Sequence, residues 1–278
     1  MGFFSRLSNG WNLGMTSLKT ISENPKLLAF PFISGFTLVL VFASFFGGFA
    51  AIFGKEAELW LEQLNNNEYV GIILLFAFYL VSYFIIVFFN VGLVYCARKV
   101  FEGEEVSYRD GIEFATSRIV TIFNWAVLSA TIGVILQILK DRLGSLGQII
   151  SGLAGMAWSI ATFFVVPILA YEDVSPMEAV KRSGRMMKEK WGEAIGANFG
   201  FGFLFFVGYV LIFLGVALLV SMVNPLIGIV VGVLMALLLH TALSAAEMVF
   251  IAATYQHLHD EPIGRFDSNT LDSIFMEK

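Results

Sequence analysis

Long apolar runs separated by short polar intervals dominate this chain of 278 residues. A helix of about 20 apolar residues crosses the hydrocarbon core of a bilayer. Runs of that length predict six spans, at approximately 26–53, 70–97, 119–139, 148–171, 194–222 and 226–254. The last two are separated only by Val-Asn-Pro, where Asn224 and Pro225 make a tight turn. Pro31 and Pro167 are expected to bend the first and fourth spans. The fold class predicted is an all-α integral membrane protein, its six helices arranged as three hairpins. An N-terminal interfacial helix (1–23), a transmembrane domain (24–255) and a tail (256–278) divide the chain.

The polar intervals have a pattern of their own. In "SPMEAVKRSGRMMKEKWG", Ser175 suits an N-cap, Pro176 the first helical position, and Glu178 completes a capping box. Met177, Val180, Gly184, Met187 and Trp191 then recur at three- and four-residue spacing, while Lys181, Arg182, Arg185, Lys188 and Lys190 occupy much of the rest. Such a helix is expected to lie in the membrane interface, with its cations at anionic head groups. The N-terminus repeats the device with Phe4, Leu7, Trp11, Met15 and Leu18, ending where Asn24 can cap the next helix and Pro25 can start it. A third case falls at roughly 106–118, where Ile112, Phe114 and Ala115 mix with Arg109, Asp110, Glu113 and Arg118. Each amphipathic segment precedes a predicted hairpin. Ser17, Ser117 and Ser183 each stand eight residues before Pro25, Trp125 and Trp191, which fits three internal repeats of one orientation.

Charge fixes the expected orientation. Of the 17 lysines and arginines, 14 fall in the N-terminal segment, the intervals after spans two and four, and the tail; only Lys55, Lys140 and Arg142 fall on the other side. The positive-inside rule then places both termini in the cytoplasm of a cell inner membrane. The interval 54–69 is instead acidic, through Glu56, Glu58, Glu62 and Glu68, with Trp60 and Tyr69 placed to anchor at head groups. Composition agrees, with 58% hydrophobic and 14% charged residues and a mean hydropathy of +0.79. The first apolar run is too long for a signal-peptide core, so the first helix is expected to stay in the mature protein. "MGFFSR" misses the myristoylation pattern at Arg6. The single cysteine, Cys96, excludes an internal disulfide and reads as a small apolar residue of a membrane helix.

"FFSRLSNGWNLGMTSLKTISENPKLLAFP", "TFFVVPILAYEDVSPMEAVKRSGRMMKEKWGEAIG" and "AATYQHLHDEPIGRF" resemble a family of prokaryotic six-span membrane proteins of unknown function. More distantly, "PILAYEDVSPMEAVKRS" is similar to the membrane domain fused to some glycerophosphodiester phosphodiesterases. That resemblance implies a membrane-embedded helical module and carries no catalytic residue. The catalytic barrel of those enzymes needs a large soluble domain, for which this chain has no room.

Ionisable residues inside a membrane are the first functional candidates. The sixth span supplies a polar stripe, His240, Ser244, Glu247 and Thr254, at i, i+4, i+7 and i+14. It could relay protons or coordinate a cation. It could equally be glue between helices, a protonated Glu247 and neutral His240 bonding to Asn90, Asn124, Asn198 or Gln137. "GANFG" (Gly196–Gly200), "GIVVG" (Gly228–Gly232) and "SGLAG" (Ser151–Gly155) fit close helix packing, within one chain or between copies of a homo-oligomer. His257 and His259 stand two apart and point nearly opposite ways on a helix, so no metal site is expected of them. No phosphate loop, zincin helix or nucleophile elbow occurs, so no cofactor and no enzymatic activity are expected. The membrane explains the basic helix better than nucleic acid does. Two functions are therefore expected: a module that organises lipids or binds a partner at its cytoplasmic face, or a transporter or channel using the sixth-span stripe.

Overall fold

A computed structural model describes residues 3–53, 68–191, 198–222 and 224–275. Every element among them is helical: α1 (Phe3–Glu23), a 3₁₀ turn (Pro25–Leu28), α2 (Ala29–Phe53), α3 (Glu68–Phe101), α4 (Tyr108–Ser117), α5 (Ile119–Arg142), α6 (Gly144–Ala161), α7 (Val165–Tyr171), α8 (Pro176–Trp191), α9 (Asn198–Met222), α10 (Pro225–His257) and α11 (Ser268–Phe275). Five segments are long and apolar enough to cross a membrane: Pro25–Phe45, Tyr69–Phe101, Ile119–Arg142, Gly144–Tyr171 and Pro225–His257. This is the build of a multi-pass membrane protein. α9 contributes a shorter apolar stretch, Leu204–Leu218. Most of the acidic interval, Lys55 and Trp60 included, lies outside the described residues; Glu68 opens α3, and Tyr69 beside it is 80% exposed.

The two prolines expected to bend their spans stand in different settings. Pro31 is the third residue of α2, where a backbone N–H has no intrahelical acceptor to lose, so α2 runs through it. Pro167 is likewise the third residue of α7, and the fourth apolar segment is interrupted ahead of it, at Thr162–Phe164. Asn24 does not cap the helix that follows: its amide donates to the Thr20 carbonyl at 3.0 Å and closes α1 instead. Asn224 does cap α10, its Oδ1 accepting from the N–H of Leu226 at 2.8 Å, with Pro225 at the first helical position.

The chain divides into two compact units, one formed by 1–32, 93–111 and 186–278, the other by 33–92 and 112–185. In the first, α9 and α10 form a close antiparallel pair. A Cβ on Gly228 or Gly232 would come within 2.6 or 2.3 Å of Val220 or Val216, so the small residues of "GIVVG" let the two backbones approach. α1 lies along both helices. The end of α3 closes in a Schellman turn. Gly103, at φ +80°, donates to the Val100 carbonyl and Glu104 to that of Lys99, a geometry that favours glycine.

The second unit pairs α5 with α6, where the rings of Trp125 and Trp158 stack 5.8 Å apart. Gly152 and Gly155 of "SGLAG" face open space, so this motif makes no close contact among the described residues. "GANFG" falls partly outside them.

Candidate lipid-facing rim and intramembrane polar residues

Side chains at their entries start α4 and α8. Ser175 Oγ accepts from the Glu178 N–H at 3.3 Å and opens α8. At α4 the box is reciprocal: Ser107 Oγ accepts from Arg109 N–H at 3.2 Å, and Asp110 Oδ2 accepts from Ser107 N–H at 3.3 Å. These local hydrogen bonds nucleate helix in intervals too polar to be driven there by apolar burial alone.

The faces these helices bury coincide only in part with the apolar stripes of the sequence. α1 buries Leu13, Gly14, Ser17, Thr20 and Ile21. The Ser17 and Thr20 hydroxyls are satisfied within the helix, donating to the Leu13 and Thr16 carbonyls at 3.0 Å each. The stripe residues Trp11 and Met15 stay 41% and 46% exposed. α8 behaves alike: Ala179, Ser183 and Met187 are buried, Val180 and Gly184 half-buried, and Met177 is 50% exposed. Small residues allow close approach, Leu13, Ile21 and Met187 pack beside them, and Trp11, Met15 and Met177 remain uncovered by protein. The side chains of Phe4, Leu7, Lys190 and Trp191 lie outside the described set.

The basic residues divide into two sets. Arg182 is bound by two carboxylates, Glu172 and, at 3.5 Å, Glu178, which hold its guanidinium above the ordinary arginine pKa. It ties α8 to the strap ahead of it. Arg98 is similarly taken up by Glu102 at 2.9 Å and Glu261 at 3.1 Å, Lys99 by Glu104 at 2.9 Å, and Arg265 by Glu23 at 2.9 Å. Lys181, Arg185 and Lys188 are exposed and make no ion pair among the described residues.

The sixth-span stripe does not share one environment. His240 is exposed, its Nδ1 3.2 Å from the Tyr209 hydroxyl of α9 and its ring 5.8 Å from that of Phe205. Ser244 and Glu247 are half-buried, and Thr254 is fully buried with no partner for its hydroxyl among the described residues. Of the expected partners, Gln137 bonds instead to Asp141 one turn on, at 3.0 Å, and the Asn198 side chain is outside the described set. Sequence reading overlooked Gln256, 1% exposed, with neither amide atom bonded among the described residues. It sits next to the expected end of the span, where a polar residue gives no signal.

His257 and His259 turn to different partners, the Asp272 carboxylate and the Tyr255 carbonyl, each at 2.8 Å. No group of three metal-ligating side chains occurs among the described residues. Cys96 is buried, its thiol 3.6 Å from the Ser107 carbonyl.

These features define an all-helical, multi-pass membrane protein with amphipathic helices at its polar intervals. The chain matches the family of unknown function DUF6159 over residues 69–265, from the start of α3 to the tail, and belongs to that family. No curated protein matches it.

Proposed function

We propose that this protein is a non-enzymatic, six-span module of a prokaryotic inner membrane that gathers anionic lipid, or seats a partner, at its cytoplasmic face. α9 serves as the remaining span, and α1, α4 and α8 lie in the cytoplasmic interface with both termini inside. The observation that carries the reading is the division of faces on α1 and on α8. Their small residues pack on protein, while Trp11, Met15 and Met177 are left uncovered, the last on the helix that carries Lys181, Arg185 and Lys188. Lipid accepts both kinds of group.

The test uses Lys181, Arg185 and Lys188 together changed to Gln, with Arg182 kept because it ties α8 in place. Each cation near an anionic surface is worth about 1 kcal/mol. Native mass spectrometry of the purified chain should therefore show markedly less retained phosphatidylglycerol. Retention equal to wild type in a correctly inserted variant counts against the rim. Orientation is checked separately in a Cys96→Ser background: a cysteine at position 62 should label from outside and one at 178 should not.

A second reading, transport along the sixth span, is favoured by the His240–Tyr209 contact. His240 lies 15 residues into a helix of 33, about 22 Å along it at the helical rise. A polar pair at that depth is rarely idle.

A further inference from the structure

The unit formed by 33–92 and 112–185 contains an open cavity of about 660 Å³, bounded by α3, α5 and α6. That volume falls within the range of small-molecule sites, about 300–1,000 Å³. Polar side chains share its lining with Leu136 and two glycines. Tyr79 and Tyr83 come from α3, Gln137 and Lys140 from α5, and Gln148 and Ser151 from α6. Gly133 keeps α5 against the ring of Tyr79, where a Cβ would meet it at 2.9 Å.

Depth makes this lining informative. Tyr79 and Tyr83 lie 11 and 15 residues into α3, roughly 16 and 22 Å along the axis. Polar groups so far inside an apolar helix cost stability unless something polar meets them. The charge balance selects what that is. The Asp141 carboxylate is engaged by the Gln137 amide at 3.0 and 3.1 Å, whereas Lys140 is exposed and makes no ion pair among the described residues. One unneutralised ammonium therefore lines the same cavity as two tyrosine hydroxyls and a second amide, donors suited to phosphate oxygens, while the Ser151 hydroxyl already donates to the Gln148 carbonyl at 3.3 Å.

We infer that this cavity is a phosphate-ester site, occupied by the head group of a phospholipid whose chains run along the bundle, with Lys140 as its charge and Tyr79, Tyr83 and Gln148 as its hydrogen-bonding wall. The inference rests on the membrane reading above but not on the α8 rim, because no residue is shared.

Two variants test it on the full chain in nanodiscs. Lys140→Gln removes the charge. Gly152→Leu fills the cavity without touching a donor, and its Cβ enters open space, so the helix should tolerate it. The probes are phosphatidylglycerol, uncharged diacylglycerol and soluble glycerol phosphate, with binding read by native mass spectrometry and folding by thermal melts. Each variant should weaken phosphatidylglycerol about tenfold or more, the loss expected of one charge-assisted contact, and diacylglycerol should bind poorly throughout. Failure of soluble glycerol phosphate to compete identifies a lipid source; full competition identifies a free phosphate ester at the same site. Wild-type binding in folded Lys140→Gln and Gly152→Leu, or equal retention of diacylglycerol, overturns the inference. The α8 triple variant should keep the Lys140-dependent binding, so the two readings fail independently.

Discussion

The hydroxyl of Ser183 accepts a hydrogen bond from the backbone N–H of Phe164 at 2.9 Å, and both residues are fully buried. Phe164 stands where the fourth apolar segment is interrupted between α6 and α7. The break thus draws an acceptor from α8, and that amphipathic helix is fastened to the apolar segment it follows. Removing a partner from a buried backbone group costs about 1–3 kcal/mol. Ser183→Ala should therefore lower stability by about 1–2 kcal/mol in detergent unfolding. The control is Ser117→Ala, whose exposed hydroxyl bonds, among the described residues, only to the Phe114 carbonyl of its own helix and whose loss should stay within about 0.5 kcal/mol.

Gly111 fixes a second junction. A Cβ there would lie 2.4 Å from the ring of Phe30 and 2.8 Å from Cys96 Sγ. Alanine is worth up to about 1 kcal/mol over glycine in a helix, but overpacking of this kind costs about 1–3 kcal/mol. Gly111→Ala should destabilise on balance. In a Phe30→Leu background the penalty should shrink, and a double-mutant cycle reads the difference. An equal penalty in both backgrounds would show that the ring is not what the new methyl meets.

These two contacts mark where sequence reading stopped. Long apolar runs give α2, α3, α5 and α10 directly, because bilayer thickness demands them. Asn224 and Pro225, and Ser175 with Glu178, announce helix starts through local hydrogen bonding that needs no tertiary context. The inward faces of α1 and α8 were hidden because Gly14, Ser17, Ala179 and Ser183 carry almost no hydrophobic periodicity; closeness of approach selects them. Of the residues that do show periodicity, Trp11, Met15 and Met177 are left uncovered, while Met187 is buried. Pro167 signalled a disturbance, but the acceptor that meets the break comes from Ser183 on a different helix. The repeated serine register likewise concealed three roles: Ser17 bonds within α1, Ser117 lies exposed, and Ser183 serves another segment.

The tail offers a pH-dependent element. Asp267 caps α11, its Oδ2 accepting from the Thr270 hydroxyl at 2.6 Å and the Thr270 N–H at 2.8 Å. These bonds hold its pKa below the ordinary value of 3.8. Because the folded value is depressed, the cap's contribution is complete above the ordinary carboxylate pKa and fades as pH falls through the folded value. Hydrogen exchange across 268–275, expressed relative to the intrinsic rate of an unprotected amide at each pH, should quicken on acidification in the wild type. In Asp267→Ala it should be faster at neutral pH already and respond less to acid. An acid response unchanged in the variant would assign the effect to other carboxylates.

Glu247 separates the two functional readings. It is half-buried in α10 and forms no hydrogen bond among the described residues, so no neighbour depends on it for a partner. A carboxyl group in such a place contributes little to stability, and an apolar group of similar volume can replace it at no loss. If the protein is a lipid-organising module, Glu247→Gln should be silent, and Glu247→Leu should leave the melting temperature unchanged or raise it. If the sixth span conducts protons, retaining the carboxyl group is the reason for tolerating it there. Glu247→Gln, which keeps size but cannot titrate, should then abolish pH-driven flux in proteoliposomes while the fold survives. Disrupting the His240–Tyr209 contact with Tyr209→Phe should slow the same flux, since one path would use both positions. We expect the first pattern, with both Glu247 variants folded and neither losing a proton-linked signal. A folded Gln variant that eliminates a flux present in the wild type would transfer the functional assignment from the cytoplasmic rim to α10.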